Sequence, residues 1–462
     1  MNRPWTRRDL LKALGATTAG AVLPHSALAK LLERPVEFPS HPLSKPLEKP
    51  VTAIVAGAGN RGNVYSSYAQ KFPSELKIVG FAEPIPFRSD RFAKKYSIPP
   101  ERCFKTWEDI FKVPKFADTV IITTPDALHY GPAMAAMGLG YDLILEKPIA
   151  QSWNECSDIM KATRKKNRIV AICHVLRYAP FFKKIKDVVD SGALGRIVSV
   201  QLMEPVEHIH MSHSFVRGNW RNTKESNPML LAKSCHDLDL LLWLTDTHCK
   251  RIGSFGSLTW FTKENAPLGS TARCTDGCTV EAECPYSALK IYYRKRTWLV
   301  HMDLPAEGDQ GPAILEHLKN GPYGRCVYHS DNDVVDHQVV MMEFEDGLTA
   351  NFNMEAHTGY AGRRIRIMGT KGDLVGDEED LFISNFKTDQ TARWNVKENA
   401  AVTSGHGGGD YGLVRDFVQA VSQHDPRLLP TTIENAMESH LMAFRAEDSR
   451  ASGKLVQVES VS

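Results

Sequence analysis

The stretch Val51–Gly62, VTAIVAGAGNRG, limits what this chain can fold into more than any other. Val51 to Ala56 is an unbroken run of small and β-branched apolar residues, the pattern of a strand covered on both faces in a parallel sheet. It runs directly into Gly57-x-Gly59-x-x-Gly62. Glycines at that spacing permit a tight turn, a close approach of backbone to a pyrophosphate, and close packing of the following helix on the strand. The first turn of that helix, with Asn60 and Arg61, offers free N–H groups and the positive end of its dipole to phosphate. A second apolar run, Lys77–Ala82, ends at Glu83, 26 residues after Gly57, where a carboxylate can hold ribose hydroxyls. That acidic strand end favours NAD over NADP, although Arg61, Arg88 and Arg91 could meet an additional phosphate.

The alternation continues downstream. Helices are expected over 87–96 and from Thr106. Strand Asp118–Thr124 then delivers Thr124, Pro125 and His129 to the carboxyl edge, where doubly wound sheets bind ligands. Helix Tyr130–Met137, strand Asp142–Leu145, the turn Glu146-Lys147-Pro148, helix Trp153–Lys166 and strand Ile169–Cys173 complete an α/β domain over 51–174. From residue 175 to 462 the order changes: helix Pro180–Ser191 is followed by strand-like runs at Arg196–Leu202, Arg251–Leu258, Val339–Phe344, Thr349–Asn353 and Arg364–Met368. Helices are expected at Leu238–Leu244, Tyr411–Val421 and Ile433–Ser449. A chain of 462 residues is too long for one ordinary core, so two domains are expected.

With 56 basic and 54 acidic residues and no basic tract, nothing points to nucleic acid. No apolar run is long enough to span a membrane. Residues 1–29 resemble a twin-arginine signal peptide: Thr6-Arg7-Arg8-Asp9-Leu10-Leu11-Lys12, a mildly apolar segment Ala13–Leu23, and Ala27-Leu28-Ala29 before a cleavage point. Such a leader addresses the chain to the twin-arginine export machinery and an extracytoplasmic, periplasmic location. Residues 30–50, rich in Pro, Lys and Glu, read as a linker.

The glycine triplet, the acidic strand end, Thr123-Thr124-Pro125 with His129, and above all Glu146-Lys147-Pro148 resemble the Gfo/Idh/MocA oxidoreductases, from about residue 50 to the end. The resemblance implies an N-terminal Rossmann domain and a C-terminal α+β domain with a large, open, mainly antiparallel sheet. Such a sheet often makes oligomer contacts, and a homo-oligomer is expected. It also implies that Lys147 lies beside the nicotinamide and the substrate hydroxyl, where an ammonium lowers the pKa of an alcohol being oxidised. His236 matches the family's acid–base histidine. The family pairs it with an aspartate four residues earlier; here that residue is Ala232. In the segment after the second domain's first strand, His210, His213, Arg217 and Trp220 match the region that lines the sugar site, with Arg177 and Tyr178 as further cleft candidates. Three alternating histidines there suit a polyhydroxylated ligand, or a divalent metal held together with Glu207.

Cys249, Cys274, Cys278 and Cys284 fall in a short loop-rich region. They suit a closed structural zinc site, or two disulfides if the destination is oxidising. Cys103, Cys156, Cys173, Cys235 and Cys326 read as small buried hydrophobes.

The functional expectation is an NAD(P)-dependent oxidoreductase acting on a hydroxyl of a sugar or cyclitol. Outside the cytoplasm no NAD pool replenishes spent cofactor, so the cofactor must be tightly bound and regenerated within each cycle. Redox-neutral glycoside cleavage by transient oxidation, elimination, water addition and re-reduction meets the same condition. A non-catalytic NAD-binding protein is the third alternative, and the presence of Lys147 and His236 argues against it.

Overall fold

In the computed structural model, residues 45–305, 307–399 and 405–461 are described, with 32–33 and 43; the leader expected over 1–29 lies outside them. Six short apolar strands form one wholly parallel sheet: β1 (Val51–Ala56), β2 (Leu76–Ala82), β3 (Cys103–Phe104), β4 (Thr119–Ile122), β5 (Asp142–Leu145) and β6 (Val170–Ile172). Their order is β3-β2-β1-β4-β5-β6, so the chain reverses direction between β1 and β4, and a dinucleotide binds such sheets at that crevice. β4 and β5 are buried along their whole length, which explains why their sequences carry no alternation.

The second sheet is built from β7 (Ile197–Pro205), β8 (Cys249–Ser257), β9 (His337–Phe344), β10 (Thr349–Glu355), β11 (Arg364–Gly369), β12 (Gly372–Gly376), β13 (Asp380–Asn385), β14 (Gln390–Asn395) and β15 (Val456–Gln457). Its order is β14-β13-β12-β11-β7-β10-β9-β8-β15, and every pair but β7–β10 is antiparallel. One face is apolar: Val340, Met342 and Phe344 of β9 and Phe352 and Met354 of β10 are buried against helices Cys235–Thr245 and Ile433–Ser452. Met341 and Phe255 point the other way and are exposed.

Residue 174 marks the end of the first sheet but not of its core. Helix Gly409–Gln423 returns to the first domain and buries Leu413, Val414, Phe417 and Val418 against Val51, Tyr65 and Tyr68. Helix Ile433–Ser452 does both: Ile433, Ala436 and Met437 pack on the parallel sheet, and Leu441, Met442 and Ala446 on the large one. Between β8 and β9 a long insertion carries helix Gly311–Asn320 and a small core of its own, with Ile291, Tyr292, Ile314 and Leu318.

Candidate active site

Every strand of the parallel sheet but short β3 contributes its carboxyl end. At β1, Gly57 has φ +94, and a Cβ there would lie 2.7 Å from the Thr123 carbonyl oxygen. A Cβ on Gly62 would lie 2.2 Å from the Gly57 carbonyl oxygen, so this glycine lets helix Asn60–Lys71 sit on the strand. At Gly59 only the Arg88 guanidinium comes near, at 3.9 Å, so the loop leaves open space where a pyrophosphate binds. Asn63 Nδ2 donates to the Ala58 and Gly59 carbonyls and fixes the loop from behind. Glu83, after β2, is buried beside this loop and accepts from the Ile85 amide at 3.0 Å. Burial pushes its carboxyl up, while the Ile85 amide and Arg88 oppose that shift. These features fit NAD.

After β5, Glu146 is buried and accepts from Arg61 Nε at 2.6 Å, Tyr65 Oη at 2.7 Å and the Lys147 amide at 2.8 Å. Burial works against its charge, but Arg61 and Lys147 hold its pKa below the ordinary carboxylate value. Arg61 also donates to Asp410 Oδ1 at 2.6 Å, and Asp410 faces His406 Nδ1 at 3.1 Å. Arg61 thus ties the cofactor loop to the lysine turn and to the glycine-rich segment near 406, rather than offering a free cation to phosphate. The Lys147–Pro148 peptide is cis. Lys147 Nζ donates to the Ala232 carbonyl at 2.6 Å, so the residue that lacks the relay carboxylate still receives the ammonium through its backbone.

His236 opens the next helix and is 5% exposed, with Nδ1 lacking any partner among the described residues. Burial, then the charge of Lys147, hold its pKa well below the usual histidine value. It is a neutral base at physiological pH. Its ring lies 5.6 Å from His174 and 6.1 Å from His406, and His174 lies 5.5 Å from His440. Four histidines from four segments therefore meet at the ends of β5 and β6. His440 is anchored, accepting from the Ile149 amide and facing the Ala436 carbonyl, and burial brings its pKa down to about 3. Sequence reasoning found only His236, because the other three belong to no local motif. The His-Gly-Gly-Gly-Asp run at 406–410 was the one signal available for His406.

Other expected residues hold the site rather than face a ligand. His129 bridges the Pro148 carbonyl at 2.7 Å and the Thr124 carbonyl at 3.0 Å, joining the β4 and β5 turns. Thr124 Oγ1 donates to the Leu128 carbonyl and Pro125 begins the same turn. Arg177 makes two bonds to Asp239, at 2.7 and 2.6 Å, and Tyr178 Oη meets Thr431 Oγ1; both side chains are buried and committed, in place of the expected cleft contacts. Trp220 donates to Asp126 Oδ1 at 3.1 Å, and Ser226 and Asn227 bond the other Asp126 oxygen, which clamps the second domain to the β4 turn.

The histidine-rich segment is helical over 208–217, not a loop. His210 is half-buried with its ring 4.7 Å from Trp298, and burial together with Lys233 brings its pKa to about 3. His213 lies behind it, stacked on Tyr323 at 4.5 Å with Nδ1 2.8 Å from Tyr292 Oη. Arg217 lies deeper still, wholly buried, donating to the Arg325 and Tyr286 carbonyls. Of the expected substrate set, His210 and His236 remain the side chains placed to meet one. The insertion that supplies Trp298 and Tyr323 also reaches the first domain, where Arg88 Nε donates to Asp303 Oδ1 at 2.8 Å.

The expected zinc set is corrected. Cys249 sits in β8 with its Sγ 3.7 Å from the Arg251 carbonyl and 3.9 Å from that of Glu343. Among the described residues no group of three His, Cys, Asp or Glu is arranged to hold a metal ion, which also removes the histidine–Glu207 alternative. A strand sequence with alternating burial places Cys249 by its β pairing, not by its spacing from the other cysteines.

A Rossmann crevice with an open glycine turn, an acidic β2 end and a lysine beside a neutral histidine defines an NAD-binding oxidoreductase. Residues 51–174 match the Gfo/Idh/MocA oxidoreductase family, NAD-binding Rossmann fold, and residues 182–301 match the Gfo/Idh/MocA C-terminal domain. The chain belongs to this family and is an NAD(P)-dependent oxidoreductase. It is 25% identical over 363 residues to YteT of Bacillus subtilis (strain 168), a protein with an oxidoreductase name, covering 75% of this chain and 83% of that one. It is 21% identical over 326 residues to inositol 2-dehydrogenase of Salmonella typhimurium, covering 67% of this chain and 89% of that one. The fold matches a levoglucosan dehydrogenase in complex with NADH and L-sorbose, with TM-score 0.66 and 19% identity over 89% of this chain and all of that one.

Proposed function

We propose that this oxidoreductase acts on a secondary hydroxyl of a sugar or cyclitol, and that its NAD stays bound and is restored within each catalytic cycle. The observation that carries the reading is the convergence of Lys147 and His236: an ammonium bonded to the end of the short helix Met229–Ala232, just before the helix that presents an unpartnered, neutral imidazole. Bound NAD supplies a hydride acceptor at the substrate carbon. The ammonium of Lys147 stabilises the alkoxide that forms as the hydroxyl is deprotonated, and His236 takes the proton. Ordering of Lys147 by the Ala232 carbonyl and of its turn by Glu146 keeps both groups in place without reorganisation. Trp298 and His210 offer aromatic and hydrogen-bonding surface to a sugar ring. Inositol 2-dehydrogenase among the relatives supports a polyol substrate.

Retention of the cofactor is supported by the Arg88–Asp303 pair, which brings the insertion to the glycine turn and Glu83. It agrees with export through the twin-arginine route, which the leader of residues 1–29 supports. The exposed face of the large sheet, with Phe255 and Met341, is the surface on which a second copy packs.

Redox-neutral glycoside cleavage is the second reading, favoured by one feature. His406 is 39% exposed, oriented by buried Asp410 and 6.1 Å from the His236 ring, so the site has a second acid–base group where elimination chemistry needs one. Single-turnover reduction of the bound cofactor by a panel of sugars, cyclitols and glycosides tests the proposal. Reduction by at least one polyol, abolished in Lys147→Met, is expected; no reduction by any member would refute it.

A further inference from the structure

The proton that His236 takes from a hydroxyl has to leave a closed place. His236 is 5% exposed, and the groups that act on it most strongly after burial, Lys147, His174, His406 and Arg363, all oppose a positive charge on its ring. Four residues earlier, Ala232 offers no carboxylate to share the proton. Of the three histidines clustered with His236, His174 and His440 are themselves buried, so a proton passed to either stays inside. His406 is the member that reaches solvent, with its side chain 39% exposed. We propose that His406 relays the proton from His236 to solvent and so completes the acid–base machinery of the site. The relay serves, and rests on, the proposed oxidation of a hydroxyl at Lys147 and His236.

The turn that carries His406 is built to hold it there. His406 has φ +49, the left-handed region that a non-glycine residue adopts at a cost. Gly407 and Gly408 follow at φ +63 and +99, and a Cβ on Gly405 would lie 2.5 Å from Asp410 Oδ2. The glycines therefore let the chain fold tightly onto the start of helix Gly409–Gln423, where Asp410 meets the imidazole. His406 Nδ1 lies 3.1 and 3.3 Å from the two Asp410 oxygens. Asp410 is wholly buried; burial opposes its charge, but Arg61 and His406 hold its pKa below the ordinary carboxylate value. An ionised carboxylate at Nδ1 fixes the tautomer, leaves Nε2 as the nitrogen that accepts, and stabilises the imidazolium that forms. Charge that His236 holds poorly is held well one ring farther out.

The His236 and His406 rings are 6.1 Å apart between centroids, a span that one water bridges. The substrate O–H bond breaks and an N–H bond forms on His236, while hydride leaves the carbon with its electron pair for the bound cofactor. His236 gives up its other N–H proton through the water to His406 Nε2, and the Nε2 proton then passes to bulk water. Each oxidation returns both imidazoles to their neutral state and releases one proton. Arg61 joins this path to the lysine turn, since it bonds both Asp410 and Glu146, each at 2.6 Å.

The test compares His406→Asn and His406→Gly with the wild type in stopped-flow reduction of the bound cofactor by myo-inositol, glucose and other free polyols. Asparagine and glycine both accept a left-handed φ, and thermal melts check that both variants fold. Neither side chain carries a proton. Both variants should reduce the cofactor about 10- to 100-fold more slowly at saturating polyol, with half-saturation unchanged. Imidazole in the medium should restore the His406→Gly rate in proportion to its concentration and leave the wild type unaffected. In the wild type alone, a pH indicator should report one proton released with each cofactor reduced, in step with the reduction. His406→Asn as fast as the wild type, a slow His406→Gly that imidazole does not restore, or wild-type proton release that lags behind reduction would each overturn the relay while the oxidation stands. A wild type whose cofactor no polyol reduces would overturn both.

Discussion

Substituting Gly59 by alanine separates the cofactor role of the glycine turn from its folding role. In the protein alone the new methyl meets only the Arg88 guanidinium, at 3.9 Å, and Gly59 has φ −72, which alanine adopts without strain. Folding stability should therefore change by no more than about 0.5 kcal/mol. The methyl occupies space through which the pyrophosphate reaches the backbone. Forcing one carbon into a filled contact costs about 1–3 kcal/mol, which is roughly 5- to 150-fold in NAD affinity. Gly62→Ala is the contrast, because its Cβ would lie 2.2 Å from the Gly57 carbonyl oxygen and the helix would have to move with or without cofactor. Calorimetric titration of the stripped protein with NAD, alongside thermal melts, reads both effects. Wild-type NAD affinity in Gly59→Ala would refute the placement of the phosphates, and so would a large loss of stability in that variant.

Lys147→Met should lower the rate of cofactor reduction by about 10²–10⁴-fold, the range for loss of a positioned acid–base group, while NAD still binds; an unchanged rate would remove Lys147 from the chemistry. Asp303→Ala breaks the pair with Arg88 and should raise the rate of NAD release, read by dilution into excess competing nucleotide, with unchanged release counting against retention by the insertion. Asp239→Asn leaves buried Arg177 without its counter-charge and should cost about 3–5 kcal/mol in chemical denaturation. His174, His236 and His440 have pKa values held below the ordinary one by burial. The unfolded chain protonates first as pH falls through about 6.5, so stability is full above that value and is lost below it, by up to about 1.4 kcal/mol per pH unit for each histidine. Denaturant midpoints that stay flat from neutral pH to mildly acidic pH would contradict their burial as neutral bases.

What could be read from the sequence follows from how local each signal is. β1, β5 and helix Trp153–Lys166 lie where apolar runs and caps put them, because both faces of a parallel strand are buried and the pattern has no competing reading. The glycine turn, Glu83 and Lys147 follow the carboxyl ends of those strands directly, so their positions in the fold were legible with them. Strands β12 to β14 were missed, since Gly372–Gly376 and Asp380–Asn385 are short and half-polar and gain their strand character from neighbours in the large sheet. The histidine cluster was legible at one member of four, because His174, His406 and His440 come from distant segments that meet only after the last two long helices fold back. Their place after β6 predicts cleft groups at Arg177 and Tyr178. Asp239 and Thr431, far along the chain, take them up instead. The cysteine grouping failed in the same way: proximity in sequence suggested Cys249, whereas pairing in the large sheet fixes its place in β8.

The central claim, oxidation of a polyol by a cofactor that never leaves, is tested most directly by one measurement. Protein matured through its own leader is incubated with free sugars, cyclitols or nitrophenyl glycosides, then denatured, and the released nucleotide is identified. The account predicts one nucleotide per chain, present without any being added, and converted from NAD to NADH by at least one free polyol. Protein that carries no nucleotide, or nucleotide that exchanges freely with the medium, would contradict it. NAD that stays oxidised while nitrophenol accumulates would replace net oxidation with redox-neutral glycoside cleavage.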